Sequence, residues 1–311
     1  MIVANTNMPS STSAQSYLAD PRNDSVLVYV NGDFVPRNEA RVSIFDAGFG
    51  LGDGVWEGLR LVKGQLICLD EHLDRLYEGA NTIRIDIGKT RNEMKALLAT
   101  LLERNGMTDG AHVRLMVTRG TKSTVNQDPR FTIGGATIVI AAEYKQPNAA
   151  AKEKGLSLFT STFRCSSPDV FDLRLNSHSR LNLIQALIQA IDAGADEALM
   201  LDPLGFVASC NSTNFFVVRN GELWTSTGRY NFKGITRGKI VAIARDHGMP
   251  VHEKDFTLAE TWSADEAFVT GTLGGVTPVT KVDGRTIGNG KPGRSTGTIS
   301  GWYLEAVEAA A

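Results

Sequence analysis

The chain has 311 residues, 42% of them hydrophobic and 21% charged, which suits a soluble globular protein of two domains. The formal net charge is −2 with scattered Lys and Arg, so neither nucleic acid nor an anionic membrane is an expected partner. No apolar run approaches the roughly 18 residues of a membrane span, and residues 1–25 form a polar leader without the features of a signal peptide. The three cysteines are widely spaced, which indicates free thiols and a cytoplasmic location.

After the flexible leader, residues 26–144 predict a small N-terminal α/β domain. Its first strands contain an Asn-Gly pair typical of a hairpin. Asp70 is the predicted N-cap of the first long helix, because it precedes apolar residues at helical spacing. The predicted elements are a hairpin at 25–36, two short strands within 46–69, helices at 69–85 and about 90–104, and strands at 111–120 and 135–144.

Residues 145–155 are rich in Pro, Ala and charge and have no apolar pattern, which predicts an interdomain linker. The larger C-terminal domain is predicted over 156–311, where strand and helix signals alternate. The predicted elements there are a helix after 174–182, three strands within 196–226, a helix at 236–249 that Gly248 closes, and a strand, glycine turn and strand at 265–284.

Four sequence blocks occur in an order that resembles one enzyme family. They are DAGFGLGDGVWEGLR, DEHLDRLYEGA, KGITRGKI and FVTGTLGGVTPV. This order resembles the fold-type IV enzymes that use pyridoxal 5′-phosphate, among them branched-chain aminotransferases, D-amino acid aminotransferases, (R)-amine transaminases and aminodeoxychorismate lyase. The resemblance covers about residues 26 to 305. It implies an α/β (α+β) fold of two domains with pyridoxal or pyridoxamine 5′-phosphate between them, usually in a homodimer, and a small-molecule amino donor and keto acid as substrates.

The resemblance also implies which residues bind the cofactor's phosphate. A guanidinium suits the forked oxygens of a phosphate, and free amides at a helix start attract an anion. Other interpretations remain open: Arg75 could be a surface arginine paired with Asp74 or Glu71, and Thr236 a plain N-cap. The implied phosphate ligands are Arg75, Ile235, Thr236 and Thr272.

A second implied set surrounds the substrate. Its apolar members could instead be core residues, its arginine an ion-paired strand residue, and its glycine turn a simple hairpin. Thr124 and Asn126 stand where the D-amino acid enzymes carry an Arg and His carboxylate trap, so that type of D-specificity is not predicted. The implied substrate residues are Phe49, Leu51, Trp56 and Arg114, with the amides around Leu273 and Gly274.

The chain departs from the family at the lysine that holds the cofactor as a Schiff base. That position falls on Asn176, or on Leu175 or Ser177 if the loop differs by one residue. Arg180 is always charged and cannot replace it, and Lys233 is the nearest lysine that the motifs bring to the site. His178 and Ser179 in this loop are candidates for proton transfer, although a loop histidine is often merely solvated.

The second departure is Ser209, which stands where the family has a glutamate against the pyridine nitrogen. A serine hydroxyl stabilises the protonated ring less than a carboxylate does, so the ring becomes a weaker electron sink. The expected function is amino transfer between an amino acid or amine and a 2-keto acid. Alternatives are a lyase or racemase-like enzyme suited to Ser209, a non-catalytic cofactor-binding protein, and an enzyme for another phosphorylated ligand.

Overall fold

A computed structural model describes residues 13–147 and 149–311, and the first half of the chain forms an antiparallel sheet. The strand order is β2-β1-β6-β5-β3-β4. In this sheet Trp56 of β3 pairs with Met116 of β5, and Gly58 pairs with Arg114. The strands are β1 (Leu27–Val30), β2 (Asp33–Pro36), β3 (Gly54–Val62), β4 (Gln65–Leu66), β5 (Ala111–Thr118) and β6 (Thr137–Tyr144).

Three helices accompany this sheet: α1 (Ala47–Leu51), α2 (Leu69–Thr82) and α3 (Arg91–Arg104). The apolar face of α2 packs against the sheet through Leu73 and Leu76, which are buried in the core. The prediction of Asp70 as its N-cap is wrong, because the helix begins at Leu69 and Cys68 takes the cap position. Asp70 instead lies in the first turn, where its negative charge interacts favourably with the positive end of the helix dipole.

The second half of the chain forms a mixed sheet of nine strands, in the order β12-β11-β10-β13-β14-β7-β8-β9 with β15 paired to β14. Strand β7 runs parallel to β14 and β8, while β13 and β14 form an antiparallel hairpin. The strands are β7 (Leu156–Thr160), β8 (Glu197–Leu201), β9 (Val207–Cys210), β10 (Asn214–Arg219), β11 (Glu222–Thr225), β12 (Val251–Glu253), β13 (Glu266–Gly271), β14 (Gly275–Val282) and β15 (Arg285–Thr286).

The helices of this half pack on both sides of the sheet, and the described residues contain no helix long and apolar enough to cross a membrane. Segment 145–155, expected to be a linker, contains a helix whose Ala151 is buried in the core of the second sheet. The mixed α+β class is confirmed. The helices are α4 (Ala149–Lys154), α5 (Pro168–Phe171), α6 (Leu181–Asp192), α7 (Ile235–Asp246), α8 (Leu258–Trp262) and α9 (Arg294–Ala309).

Candidate active site

A cleft of about 420 Å³ lies where the two sheets meet. The first half contributes residues of β3, α2 and β5 to its wall, among them Trp56, Arg75 and Arg114. The second half contributes the loop before α6, the turn between β9 and β10, the start of α7 and the turn between β13 and β14. Residues that are far apart in sequence therefore line one cavity of the size that a small ligand fills.

One end of the cleft is formed by the N-terminus of α7. Gly234 is its N-cap and no side chain caps the helix, so the first N–H groups have no acceptor from within it. Asn214 holds the preceding turn: its Nδ2 donates to Phe232 O at 2.6 Å and its Oδ1 accepts from Gly234 N at 3.2 Å. A Cβ on Gly234 would lie 2.3 Å from that Oδ1, so this close approach requires glycine. The turn thus presents free amides and the positive end of a dipole to an anion.

Three of the expected phosphate ligands meet at this end. Ile235, Thr236 and Thr272 all line the cleft and also line a second, water-sized cavity beside Tyr303. The Tyr303 side chain lines the same small cavity as Thr236. Thr236 is therefore not an N-cap, because the cap position belongs to Gly234.

The fourth expected phosphate ligand, Arg75, lies on the cleft wall with its guanidinium held from behind. Its Nε and Nη2 donate to Glu57 at 2.7 and 2.6 Å, and its Nη1 donates to Lys233 O at 3.2 Å. Burial by itself would raise the pKa of Glu57, but hydrogen bonds from Arg75 and His72 hold that pKa below its usual value. A permanently ionised Glu57 therefore fixes the direction of the guanidinium.

The alternative partners of Arg75 are engaged elsewhere. Asp74 pairs with Arg91 at 2.9 Å and Glu71 pairs with Lys239 at 2.5 Å. Because neither carboxylate reaches it, Arg75 is not the ordinary surface arginine that was considered as an alternative.

The loop that carries the expected lysine position runs along the edge of β3. Trp56 N donates to Asn176 O at 2.9 Å, and Asn176 Nδ2 donates back to Trp56 O at 2.5 Å. Arg180 Nη2 donates to Asn176 Oδ1. The carboxamide of Asn176 is therefore held from both sides at the wall of the cleft.

The neighbours of Asn176 point elsewhere. Leu175 packs against the core of the first sheet, and the Ser177 hydroxyl accepts from Ser179 N at 2.9 Å. His178 lies against Gly54, outside the cleft lining; burial lowers its pKa, and its Nε2 has no described partner. Ser179 donates its hydroxyl to Gly52 O at 3.2 Å. Of the three residues considered for the lysine position, only Asn176 lines the cleft.

Two arginines make the middle of the cleft electropositive. The Arg114 guanidinium stacks 3.7 Å from the Trp56 ring centroid and makes no ion pair with a described residue. Arg180 lies 5.4 Å from the same ring. Burial, then the charges of Arg114 and Arg75, lower the pKa of Arg180 to about 10, so it remains a cation at neutral pH. This uncompensated charge favours an anionic ligand.

A histidine and a lysine that the sequence did not single out also line the cleft. His112 shares a strand face with Arg114, an alternation that could have revealed it, and burial lowers its pKa to about 3. It is therefore neutral at physiological pH. Lys145 projects from the segment expected to be a linker, where the sequence carried no signal, and burial lowers its pKa. By contrast, the lysine suggested by the motifs, Lys233, is exposed and does not line the cleft.

Ser209 lies in the cleft wall opposite the first sheet. Its hydroxyl donates to Thr213 O at 2.9 Å and accepts from Asn214 Nδ2 at 3.4 Å. The group that faces the ligand at this position is therefore a neutral hydroxyl. The Thr270 hydroxyl, on β13, also lines the cleft and is buried without a partner among the described residues.

The expected substrate residues are only partly brought together. Trp56, Arg114 and Leu273 line the cleft. Phe49 and Leu51 do not, and they are 71% and 38% exposed to solvent. Gly274 lies behind its turn, where a Cβ would approach Ala14 O to 2.9 Å.

The cleft lies between an α/β half and a larger mixed-sheet half, and one end of it combines a helix N-terminus with an oriented arginine. This arrangement is the architecture of the fold-type IV pyridoxal phosphate proteins. Residues 54–282 match the family described as amino-transferase class IV, so the chain belongs to the class IV aminotransferases, whose cofactor is pyridoxal 5′-phosphate.

Relatives and solved structures agree with this family. The chain is 38% identical to a branched-chain-amino-acid aminotransferase-like protein 2 of Arabidopsis thaliana over 96% of its own length, but it spans about half (53%) of that relative. It is 40% identical to a putative branched-chain-amino-acid aminotransferase of Methanocaldococcus jannaschii, covering 86% of this chain and 92% of that protein. A branched-chain amino acid aminotransferase from T.th., solved with pyridoxamine 5′-phosphate, superposes with a TM-score of 0.86 at 31% identity, over 92% of this chain and 95% of that one.

The residues present fit the cofactor at one end and not at the other. The uncapped start of α7 and the oriented Arg75 suit the phosphate. At the opposite end, Asn176 offers a carboxamide that cannot form an imine, and Ser209 offers no charge. Covalent attachment at residue 176 is therefore chemically excluded.

Proposed function

We propose that this protein binds pyridoxal or pyridoxamine 5′-phosphate without a covalent bond and transfers an amino group between an amino acid or amine and a 2-keto acid. The observation that carries the proposal is Asn176, whose carboxamide is held by Trp56 and Arg180 at the position that the family resemblance gives to the lysine. The cofactor supplies the electron sink for amino transfer. The chain's residues must then bind it, orient it and move a proton.

Binding falls to the phosphate end of the cleft. Ile235 and Thr236 offer amides at the start of α7, Thr272 offers a hydroxyl, and Arg75 offers a guanidinium whose direction Glu57 sets. Because these groups are fixed before a ligand arrives, binding loses little side-chain entropy.

Orientation and proton transfer fall to the other end. Arg180 keeps Asn176 in place and adds a positive charge beside its carboxamide. Lys145 is the cleft-lining amine whose lowered pKa suits proton transfer, because its neutral form is more accessible than that of an ordinary lysine. His112, with a pKa of about 3, is too weak a base for that role.

We further propose that the protein is a cytoplasmic homodimer. The segment around α1 exposes a group of apolar side chains, a pattern typical of a surface that a partner covers. A dimer interface at this segment would also remove Phe49 and Leu51 from solvent. Sedimentation analysis would measure the mass of the assembly. The three free cysteines suit a reducing compartment. The exposed residues are Val42, Ile44, Phe45, Phe49 and Leu51.

The experiment that tests the proposal has two stages. The protein is mixed with pyridoxal phosphate, reduced with borohydride and mapped by peptide mass, and no lysine adduct is expected. The pyridoxamine phosphate complex is then given one equivalent of a 2-keto acid, and slow formation of the amino acid is expected. An adduct on Lys145 or Lys233 would contradict non-covalent binding.

A non-catalytic cofactor-binding protein is the second candidate, favoured by the loss of charge at both Asn176 and Ser209. It predicts tight binding of pyridoxamine phosphate with no amino acid formed after prolonged incubation. A lyase or racemase-like activity, which Ser209 would suit, predicts instead that added amino acid is consumed without any keto acid acceptor.

A further inference from the structure

Residues 13–18, which we name the N-terminal strap, cross one side of the cleft. Ala14 N donates to Glu197 Oε1 at 2.8 Å, and Thr213 Oγ1 donates to Oε2 of the same carboxylate at 2.8 Å. Ala14 is buried. This carboxylate therefore anchors the strap to β8 and to the turn before β10.

The other end of the strap contacts the first half of the chain. Tyr17 forms a backbone bridge with Pro147, and the Lys145 ammonium lies 4.5 Å from the Tyr17 ring centroid. Since Pro147 and Lys145 follow β6, the strap connects the two halves that form the cleft. A segment anchored at both ends in this way forms a fixed wall.

Between these anchors the strap turns Gln15 into the cleft. Gln15 lines the cavity, and a Cβ built on Gly271 would lie 3.6 Å from its Nε2. Among the described residues, no group forms a hydrogen bond with its carboxamide. Thr270, which precedes Gly271 in the chain, is 2% exposed, and its hydroxyl also lacks a partner among the described residues.

Two polar groups without partners beside one turn indicate what the turn receives. Leaving the buried Thr270 hydroxyl unpaired is unfavourable, so a ligand that pairs with it, and with the half-buried Gln15 carboxamide as well, stabilises the site. Both Gln15 and Thr270 can donate a hydrogen bond, and the cation of Arg114 lines the same cleft without an acidic partner. Donors together with a positive charge favour a carboxylate.

We propose that Gln15 is a specificity-determining residue, which the N-terminal strap presents to the carboxylate of the amino-acid or 2-keto-acid substrate. The proposal rests on the proposed function, because it needs the cofactor's phosphate at the α7 end of the cleft. It assigns substrate recognition to a residue that precedes both sheets in the chain.

The test compares two ligands that share the cofactor end. Pyridoxamine 5′-phosphate reports binding at that end alone, while N-(5′-phosphopyridoxyl)-L-glutamate adds an amino acid to it. Both dissociation constants are measured by calorimetry for the wild type, Gln15→Ala and the matched control Gln146→Ala. Gln146 is exposed and does not line the cleft.

Gln15→Ala is expected to weaken the phosphopyridoxyl-glutamate conjugate about tenfold while pyridoxamine phosphate binds as before, because a hydrogen bond to a charged group is lost. Gln146→Ala is expected to change neither constant. Ala14→Pro removes the N–H that anchors the strap and is expected to weaken the conjugate to a similar degree.

Two results would overturn the inference while the proposed function stands. One is a conjugate that binds Gln15→Ala as tightly as the wild type, and the other is an equal loss for both ligands. If the wild type fails to bind pyridoxamine phosphate at all, the proposed function fails and this inference fails with it.

Discussion

The two ends of the cleft differ in how they retain the family pattern. At the phosphate end, buried Glu57 fixes the direction of Arg75, and Thr236 lies at the uncapped start of α7. At the other end, the proposed function places Asn176 and Ser209 at the positions of the family's lysine and glutamate, and both side chains are neutral and hydrogen-bonded to protein groups. The proposed function therefore assigns binding and chemistry to separate residues, so that one can change while the other persists.

The largest effect is expected from restoring the amine. Asn176→Lys places a lysine on the cleft wall beside Arg180, and the neighbouring positive charges lower its pKa, which favours the nucleophilic form. After borohydride reduction, a covalent cofactor adduct at residue 176 is expected. The rate of amino transfer is expected to rise roughly 10²- to 10⁴-fold, which is the usual contribution of a positioned acid–base group. Peptide mass mapping and single-turnover kinetics measure both.

Ser177→Lys is the matched control for this variant. The Ser177 side chain faces the amide of Ser179 and not the cleft, so neither an adduct nor a faster rate is expected. If both variants formed the same amount of adduct, or if Asn176→Lys formed none, residue 176 would not be the position at which a lysine meets the cofactor.

A smaller effect is expected from Glu197, which anchors the strap at the substrate end. Burial raises the pKa of Glu197 to about 7, despite hydrogen bonds from Thr213 and Ala14. Between the ordinary pKa of about 4.5 and pH 7 the folded state therefore keeps a proton that the unfolded state has lost, and stability falls as pH rises. The loss is on the order of 3 kcal/mol over this window.

Glu197→Gln removes the titration while its amide can still bond with Ala14 and Thr213. Urea unfolding of both proteins from pH 4.5 to pH 8 should show their stability difference changing across the window and levelling above pH 7. Parallel curves would mean that Glu197 does not titrate in this range.

All the expected phosphate ligands line the cleft, whereas only part of the expected substrate set does. The glycine turn and the helix start at Ile235 and Thr236 are formed by neighbouring residues, so a short stretch of sequence is enough to predict them. Glu57, which orients Arg75 from 18 residues away, could not be predicted, because the pairing depends on how α2 packs against β3. Lys145 was missed for a similar reason: it lies in a segment whose composition predicts a linker.

The fold shows the same limit. The long strands β5 and β6 were predicted almost to their ends because their apolar runs are strong signals. Helix α4 was not, since its six residues are mostly alanine and charge and its one buried side chain, Ala151, gives no periodicity. Likewise, the aromatic character of Phe49 does not reveal that its side chain is exposed, because exposure depends on where the tertiary structure places the residue.

The smallest expected effect sharpens the assignment of the phosphate end. Gly234→Ala would bring a Cβ to 2.3 Å from Asn214 Oδ1, so the turn before α7 must shift. The N–H groups at the helix start would then no longer point toward the ligand's phosphate. Pyridoxamine phosphate is expected to bind about tenfold more weakly by calorimetry, the loss of about one hydrogen bond to a charged group. Gly238→Ala, one turn further along the same helix, meets open space and is expected to keep full affinity and to gain about 0.5–1 kcal/mol of stability. Equal affinity in the two variants would mean that the ligand's phosphate does not lie at the α7 N-terminus.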